Sequence, residues 1–251
     1  MSIKIVDFIL WEAAEFIVVN KPAGLPTLVD GYQRDAPYLL DLLKQTYNLV
    51  WVVHRLDRET SGVMVFARTA EAHRELSVQF EKRQAHKSYH ALVLGDPTWN
   101  KKSVDLALRP DGDRKHRTVV DVRHGKPART EASVLHRYGG VSSSYALVEA
   151  VPQTGRTHQI RVHLAAQGHP IVADRLYGDG KGIYLSELKS GFKGRMEDER
   201  PLLGRLGLHA RSLVLLHPVT GEGLRFDAPY PKDFRRTLRW LDRDPQKGKD
   251  L

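Results

Sequence analysis

Short apolar runs separated by polar turns dominate the first third of the chain. Residues 16–19, 50–53 and 63–66 are rich in β-branched and aromatic side chains, which is typical of buried strands. Residues 37–47 place leucines at helical spacing. Thr69 can cap a second helix in which Ala72, Leu76 and Phe80 form one apolar face. This part of the chain therefore predicts strands and helices in irregular succession.

Strands dominate the middle of the chain. Residues 88–94 alternate in polarity and place Tyr89, Ala91 and Val93 on one face. Further strand-like runs lie at residues 104–108, 118–122, 132–135 and 145–150. Two later helices are predicted, one from a Thr157 cap to Ala166 and one beginning at Pro231. Because helices interrupt the strands irregularly, the pattern favours an α+β fold with a mixed sheet.

Length and composition favour one globular domain. The chain has 251 residues, of which 41% are hydrophobic, and no Ser/Gly-rich or Pro-rich linker divides it. We therefore expect a single domain over residues 1–251, with a longer loop insertion at residues 178–207. Cysteine is absent, which excludes disulfides and thiolate zinc sites.

Charge and hydropathy narrow the class of partner. The formal net charge is +9, which favours a polyanionic partner. No leader pattern and no apolar stretch near the length of a membrane helix is present, so we expect a cytoplasmic protein without a membrane partner. We also expect a monomer.

Asp57 is the principal candidate for chemistry, because it lies in a turn between two apolar runs. The turn, residues 54–62, carries ionisable groups of both signs before Thr60, Ser61 and Gly62. A rigid sheet can hold such a carboxylate in a fixed position, which suits catalysis. A solvated turn with a local Asp–Arg pair is the alternative interpretation.

Five segments in register resemble the RluA family of RNA pseudouridine synthases. The segments are residues 18–25, 54–62, 87–93, 154–174 and 208–218, which include HRLD, TGRTHQIRVH and GHPI. The resemblance implies the pseudouridine synthase fold, a central, mixed and largely antiparallel twisted sheet flanked by helices and loops, with an active-site cleft across its middle. This chain begins close to the first catalytic-domain strand, so we expect it to lack the N-terminal RNA-binding domain of many relatives.

The resemblance also implies roles for individual residues. Asp57 would be catalytic, Arg161 would keep it ionised, and Tyr89 would stack on the base. Arg55 would help to extrude the target nucleotide. Further substrate contacts are expected from residues in the same motifs: His54, Thr60, Arg156, His158 and Gln159. The reaction would isomerise specific uridines of ribosomal or transfer RNA stem-loops without a cofactor.

RNA backbone contacts are expected from the basic segment between residues 109 and 129. Arg114, Lys115 and Arg117 are its candidate phosphate ligands, although a hydrated surface would show the same composition. We expect no metal site, because the spacing of His158, His163 and His169 matches no zinc motif. The glycines of residues 178–182 lack the GKS or GKT of a phosphate loop.

Two other classes of function remain open from the sequence. A glycoside or nucleoside hydrolase could use Asp57 and Glu59 as a carboxylate pair, although residues two apart on an extended segment point in different directions. A non-catalytic RNA-binding protein could retain the fold. The sequence also leaves open whether Asp57 acts as a nucleophile or as a base.

Overall fold

A computed structural model describes residues 4–29, 36–139, 144–189 and 191–243. The chain forms two compact units, Met1–Tyr89 with His209–Tyr230 and His90–Leu208 with Pro231–Leu251. The single domain expected over residues 1–251 stays a prediction.

The first unit is a mixed sheet with two helices. Its elements are, in chain order, β1 (Ile9–Glu12), β2 (Phe16–Lys21), α1 (Leu39–Thr46), β3 (Trp51–Val52), β4 (Ser61–Ala67), α2 (Ala70–Glu81) and the start of β5 (His86–Leu94). Every residue of β4 is buried, because strands pair with it on both sides. It runs antiparallel to β2 and, through Ser61 and Gly62, parallel to β11 (Leu208–Leu216) of the same sheet.

In the described residues, the second unit contains the rest of β5, five further strands and three α-helices. The intervening elements are β6 (Lys101–Asp105), β7 (Leu108–Arg109), β8 (Val119–Val120), β9 (Arg129–Tyr138), β10 (Tyr145–Pro152), α3 (Gln159–Ala166) and α4 (Leu185–Leu188). After β11 come β12 (Gly223–Asp227), which pairs with β11 in the first unit, and α5 (Lys232–Leu241) in the second. The strand order here is β5-β10-β9-β6, and β7 and β8 form a separate antiparallel pair.

The α+β fold with a mixed sheet and flanking helices is confirmed. The Thr69 cap is also confirmed, since its Oγ1 accepts a hydrogen bond from the Ala72 N–H at 3.1 Å. Within the described residues, no helix is long and apolar enough to cross a membrane.

Two details of the predicted elements are wrong. The strand expected at residues 104–108 is divided between β6 and β7, because Leu106 and Leu108 bond to the backbone of the 126–128 segment instead. The N-cap position of helix α3 is occupied by His158 rather than Thr157; His158 makes no side-chain capping bond and has a left-handed backbone with φ of 54°. The chain therefore turns sharply just before the helix.

Candidate active site

Asp57 lies in the loop between β3 and β4, and both of its neighbours are fixed by distant residues. On one side, the buried Thr27 Oγ1 donates to the Leu56 carbonyl at 3.0 Å and accepts from the Leu56 N–H at 3.3 Å. On the other side, the Arg58 carbonyl accepts from the Gly24 N–H at 2.9 Å. The backbone carrying Asp57 is therefore held before and after it.

Lys21 stabilises the same loop by hydrogen bonds from a buried side chain. It is fully buried at the end of β2, and its Nζ donates to the carbonyls of Pro22, Leu25 and Arg58 at 2.9, 2.7 and 3.0 Å. Three carbonyl acceptors match the three N–H donors of an ammonium group. Lys21 thus joins the turn after β2 to the residue that follows Asp57.

The end of the loop is held by contacts with β11. The Asp57 carbonyl accepts from the Thr60 N–H at 3.1 Å, and Ser61 Oγ lies 2.9 Å from His209 Nδ1. Gly62 has φ of 121°, and a Cβ there would lie 2.2 Å from the Ala210 carbonyl oxygen. Only glycine allows this approach of β4 to β11.

Tyr89 interacts electrostatically with Asp57. Tyr89 is buried in β5, and burial followed by the negative charge of Asp57 raises the pKa of its hydroxyl above the ordinary value. The phenol therefore remains protonated at neutral pH. Within the first unit, the structure brings together a carboxylate and a neutral phenol, two of the three predicted catalytic groups.

His54 has a structural contact pattern. Its Nε2 accepts from the Val65 N–H at 3.1 Å, and its ring stacks on Phe80 at 4.4 Å. Burial, followed by the charge of Lys87, lowers the pKa of His54 to about 3. A neutral imidazole with Nε2 as acceptor is thus fixed against β4, and the substrate contact of His54 stays a prediction.

Arg161 lies in the second unit, where Asp174 orients it. Both side chains are buried, and the Arg161 Nε and Nη2 each donate to an Asp174 oxygen at 2.8 Å. Burial acts to raise the pKa of Asp174, but the bonds and charge of Arg161, together with the N–H donors of Leu176 and Tyr177, lower it overall. The predicted pairing of Arg161 with Asp57 joins residues of different units and stays a prediction.

Tyr177 supports Arg161 and His158. Its ring lies 5.1 Å from the Arg161 guanidinium carbon, and its hydroxyl lies 2.9 Å from His158 Nδ1. The hydroxyl also accepts from the Thr118 N–H at 3.0 Å. Asp174 Oδ1 accepts from the Tyr177 N–H at 3.1 Å, so the carboxylate that holds the arginine also fixes the tyrosine. The 174–177 turn is therefore a support for two predicted site residues.

Gln159 uses all of its amide hydrogen-bonding capacity inside the protein. Its Oε1 accepts from Thr154 Oγ1 at 2.6 Å and from the Arg156 N–H at 3.1 Å. Its Nε2 donates to the Arg129 carbonyl at 2.9 Å and to Thr130 Oγ1 at 3.0 Å. Two acceptor and two donor positions are thus filled. These contacts indicate a structural role for Gln159, and its substrate contact stays a prediction.

The remaining predicted contacts differ in exposure. Arg55 is exposed, Arg156 is half-buried with its Nε donating to the Pro127 carbonyl at 3.3 Å, and Thr60 is buried. Of the basic trio, Arg114 and Lys115 are exposed. Arg117 instead donates to Asp113 at 2.7 Å and to the Leu176 carbonyl at 2.7 Å.

The three histidines considered for metal binding have separate partners. His163 Nδ1 lies 2.9 Å from Thr130 Oγ1, His169 Nδ1 lies 3.1 Å from the Leu94 carbonyl, and His158 contacts Tyr177. In the described part of the chain, no three His, Cys, Asp or Glu side chains are grouped as metal ligands.

Sequence reasoning missed three supporting residues. No motif includes Thr27 or Tyr177, and Asp174 enters only as the last residue of the 154–174 segment. The position of Asp174 could have indicated its role. An acid directly after two apolar residues tends to be buried, and a buried acid needs a partner such as an arginine. Thr27 gave no such indication, because its partner Leu56 is distant in sequence.

Comparison with known proteins relates the chain to enzymes that act on RNA. Residues 15–166 match the family model described as RNA pseudouridylate synthase. The dual-specificity RNA pseudouridine synthase RluA of Escherichia coli K12 is 36% identical over 221 residues, covering 88% of this chain and 92% of the relative. Ribosomal large subunit pseudouridine synthase C of the same organism is 36% identical, covering 94% and 70%.

A solved structure extends the likeness to the fold. Human RNA Pseudouridylate Synthase Domain Containing 4 superimposes with a TM-score of 0.71 and 29% sequence identity. The match covers 95% of this chain and 94% of the human chain.

Proposed function

Because the chain belongs to the RluA family of RNA pseudouridine synthases, and is thus an isomerase acting on RNA, we propose that Asp57 is its catalytic residue. The observation that carries the proposal is the attachment of both neighbours of Asp57, Leu56 to Thr27 and Arg58 to Lys21. Such attachment holds a reacting group in place before the substrate arrives, which lowers the entropic cost of reaction.

The reaction requires one bond to break and another to form at the same ribose carbon. The glycosidic bond to N1 of uracil breaks, the base turns, and the carbon joins C5, whose proton is lost while N1 gains one. No redox step is needed. Asp57 can act as a nucleophile at the anomeric carbon or as a base that removes a neighbouring proton.

Tyr89 and Arg161 have different proposed tasks. The phenol of Tyr89 is protonated, and its pKa is raised by burial and by the charge of Asp57. Tyr89 can therefore pack its ring against the base and transfer a proton after the new bond to C5 has formed. Arg161 would favour the ionised form of Asp57. Its two bonds to Asp174 fix the orientation of the guanidinium group, which supports a role that requires the group to face one way.

The proposed substrate contacts separate into two groups. Arg55, which is exposed, is available to fill the space left by a flipped nucleotide, and Arg156 and His158 are half-buried in the second unit. For His54, Thr60 and Gln159 we propose an indirect effect on the substrate, in which each residue positions its own loop or helix. His54 and Gln159 have hydrogen-bond partners inside the protein, and Thr60 is buried. Exposed Arg114 and Lys115 suit phosphate contact better than Arg117, which binds Asp113.

Replacement of Asp57 tests the assignment. Asp57→Asn should abolish pseudouridine formation, with a loss of several powers of ten in rate, while RNA binding and the fold are retained. The measurement is single-turnover release of tritium from 5-tritiated uridine in RNA, with Glu59→Gln as the matched control in the same loop. A rate for Asp57→Asn within about tenfold of wild type would contradict the proposal.

The same assay separates isomerisation from hydrolysis. A hydrolase that used Asp57 and Glu59 would release free uracil with the tritium still on C5, so no tritium would enter the water. Its uracil release would also be lost in Glu59→Gln. Glu59 is 49% exposed at its side chain and lies 3.9 Å from Arg58, which suits a solvated ion pair.

The RNA target is proposed as a stem-loop of ribosomal or transfer RNA, modified by a monomeric enzyme in the cytoplasm. One relative is named as a ribosomal large subunit enzyme and others as dual-specificity enzymes. Mapping pseudouridines in RNA from cells with and without the gene identifies the target. A site lost on deletion should return with the wild-type gene and not with Asp57→Asn.

A further inference from the structure

Helix α5 carries its cations on one face. The exposed residues Lys232, Arg235, Arg236 and Arg239, with Arg243 just beyond the helix, recur at spacings of three and four. At about 100° per residue these five fall within an arc of about 100°. The buried residues Phe234, Thr237 and Leu241 lie on the opposite side. We call the five cations the α5 stripe.

The two acids in this segment, Asp233 and Asp242, have contacts outside the helix. Asp233 accepts from Arg205 Nε at 2.7 Å and Nη2 at 2.8 Å. Burial acts to raise the pKa of Asp233, but the bonds and charge of Arg205, together with backbone N–H donors, lower it overall. Asp242 lies 3.9 Å from His136 Nε2.

The α5 stripe therefore has little internal compensation. Among the described residues, no acidic side chain forms an ion pair with Lys232, Arg235, Arg236 or Arg239. The Arg243 guanidinium carbon lies 4.3 Å from the centre of the Trp240 ring, and in the described part of the chain no acid forms an ion pair with Arg243.

The segment expected as a loop insertion supports this helix. Ile183 and Leu203 pair as an isolated β-bridge and bring the two ends of the segment together, and α4 lies between them in sequence. Arg205 binds Asp233, and Arg236 Nη2 donates to the Leu202 carbonyl at 3.5 Å. The 178–207 segment thus fixes the orientation of α5 within the second unit.

We propose that the α5 stripe binds the phosphate backbone of the RNA substrate outside the modified nucleotide, and this rests on the proposed function for the RNA as substrate. A row of fixed cations on one helical face complements a row of phosphates, and counterion release supplies the free energy. Arginine and lysine at this spacing provide affinity and orientation without reading the sequence. The 178–207 segment is then a support for an RNA-binding surface.

The test compares two triple variants that remove the same charge. Lys232→Gln/Arg235→Gln/Arg239→Gln changes the α5 stripe and spares Arg236, which contacts Leu202. The control, Lys82→Gln/Lys101→Gln/Lys102→Gln, removes three exposed cations from other elements. Circular dichroism and thermal melting establish that both remain folded.

The measured quantity is the dependence of RNA affinity on salt. Each lost phosphate contact reduces the slope of log affinity against log salt by about 0.7 to 0.9, so the stripe variant should have a slope shallower by about 2 to 3. Between 50 and 200 mM salt, wild type should lose about 20- to 40-fold more affinity than this variant. The control should keep the wild-type slope, and single-turnover rates at saturating RNA should be unchanged in both.

Equal slopes for wild type and the stripe variant would overturn the inference, as would equal changes in both triple variants. If RNA binding responds as expected but wild type forms no pseudouridine, the proposed function fails and the RNA-binding surface stands. If wild type is active and the slope is unaffected, the function stands and the surface is refuted.

Discussion

Thr27→Val tests whether the attachment of the Asp57 loop matters for catalysis. Valine has nearly the shape of threonine, so the change removes the hydroxyl while filling the same space. Thr27 is 3% exposed, and its Oγ1 makes one bond with the Leu56 carbonyl and one with the Leu56 N–H. Both backbone groups would lose their partner in a buried place.

The structure gives the size of the effect. A buried backbone group left without a partner costs about 1 to 3 kcal/mol, so two such groups should lower the free energy of unfolding by about 2 to 6 kcal/mol. Loss of position by about 1 Å at a reacting group can cost on the order of 100-fold in rate. We therefore expect a single-turnover rate that is about 10- to 100-fold lower, with little change in RNA affinity.

Urea unfolding and single-turnover tritium release at saturating RNA measure the two effects. Thr27→Ser is the matched control, because serine retains the hydroxyl and should preserve most of the stability and rate. A Thr27→Val protein within about 0.5 kcal/mol of wild type would refute the assigned hydrogen bonds, since ordinary surface changes fall in that range. Destabilisation with an unchanged rate would show that the attachment serves folding alone.

Two further predictions concern buried ionisable groups. His54 has a pKa of about 3 in the folded protein, whereas its ordinary value is 6.5. As the pH falls, His54 of the unfolded chain therefore takes up a proton before His54 of the folded chain does. The free energy of unfolding is consequently lost between about pH 6.5 and 3. Between pH 7.5 and 4, wild type should lose about 3 kcal/mol more free energy of unfolding than His54→Phe in urea titrations, and parallel curves would contradict this. Arg161→Met should impair catalysis more than RNA binding, and it leaves Asp174 buried without its cation. Arg161→Met/Asp174→Asn should therefore unfold at a higher urea concentration than Arg161→Met. The reverse order would show that loss of the ion pair is not what destabilises Arg161→Met.

Much of the candidate site could be predicted from local patterns. Asp57 follows one apolar run and precedes another, so its place in a turn between strands depends on neighbours within a few residues. Tyr89 alternates with Ala91 and Val93, and the structure buries it in β5 as that alternation indicates. The motifs in register also sufficed to identify the family, which the comparisons confirm.

Hydrogen-bond partners could not be predicted in the same way. His54 and Gln159 have the residue types of substrate ligands, yet His54 accepts from Val65 and Gln159 binds the 129–130 backbone and side chain. Residue type states which bonds a side chain can make, whereas the fold decides whether a partner inside the protein makes them.

Local sequence determined where this protein turns from strand to helix and where it places its acid, because periodicity and turn chemistry depend on adjacent residues. Tertiary structure alone decided that Lys21 lies under the Asp57 loop, that Asp174 orients Arg161, and that Asp233 pairs with Arg205 rather than with the α5 stripe. The physical reason is that burial requires each polar group to find a partner, and the nearest suitable partner in space is set by packing of the whole chain.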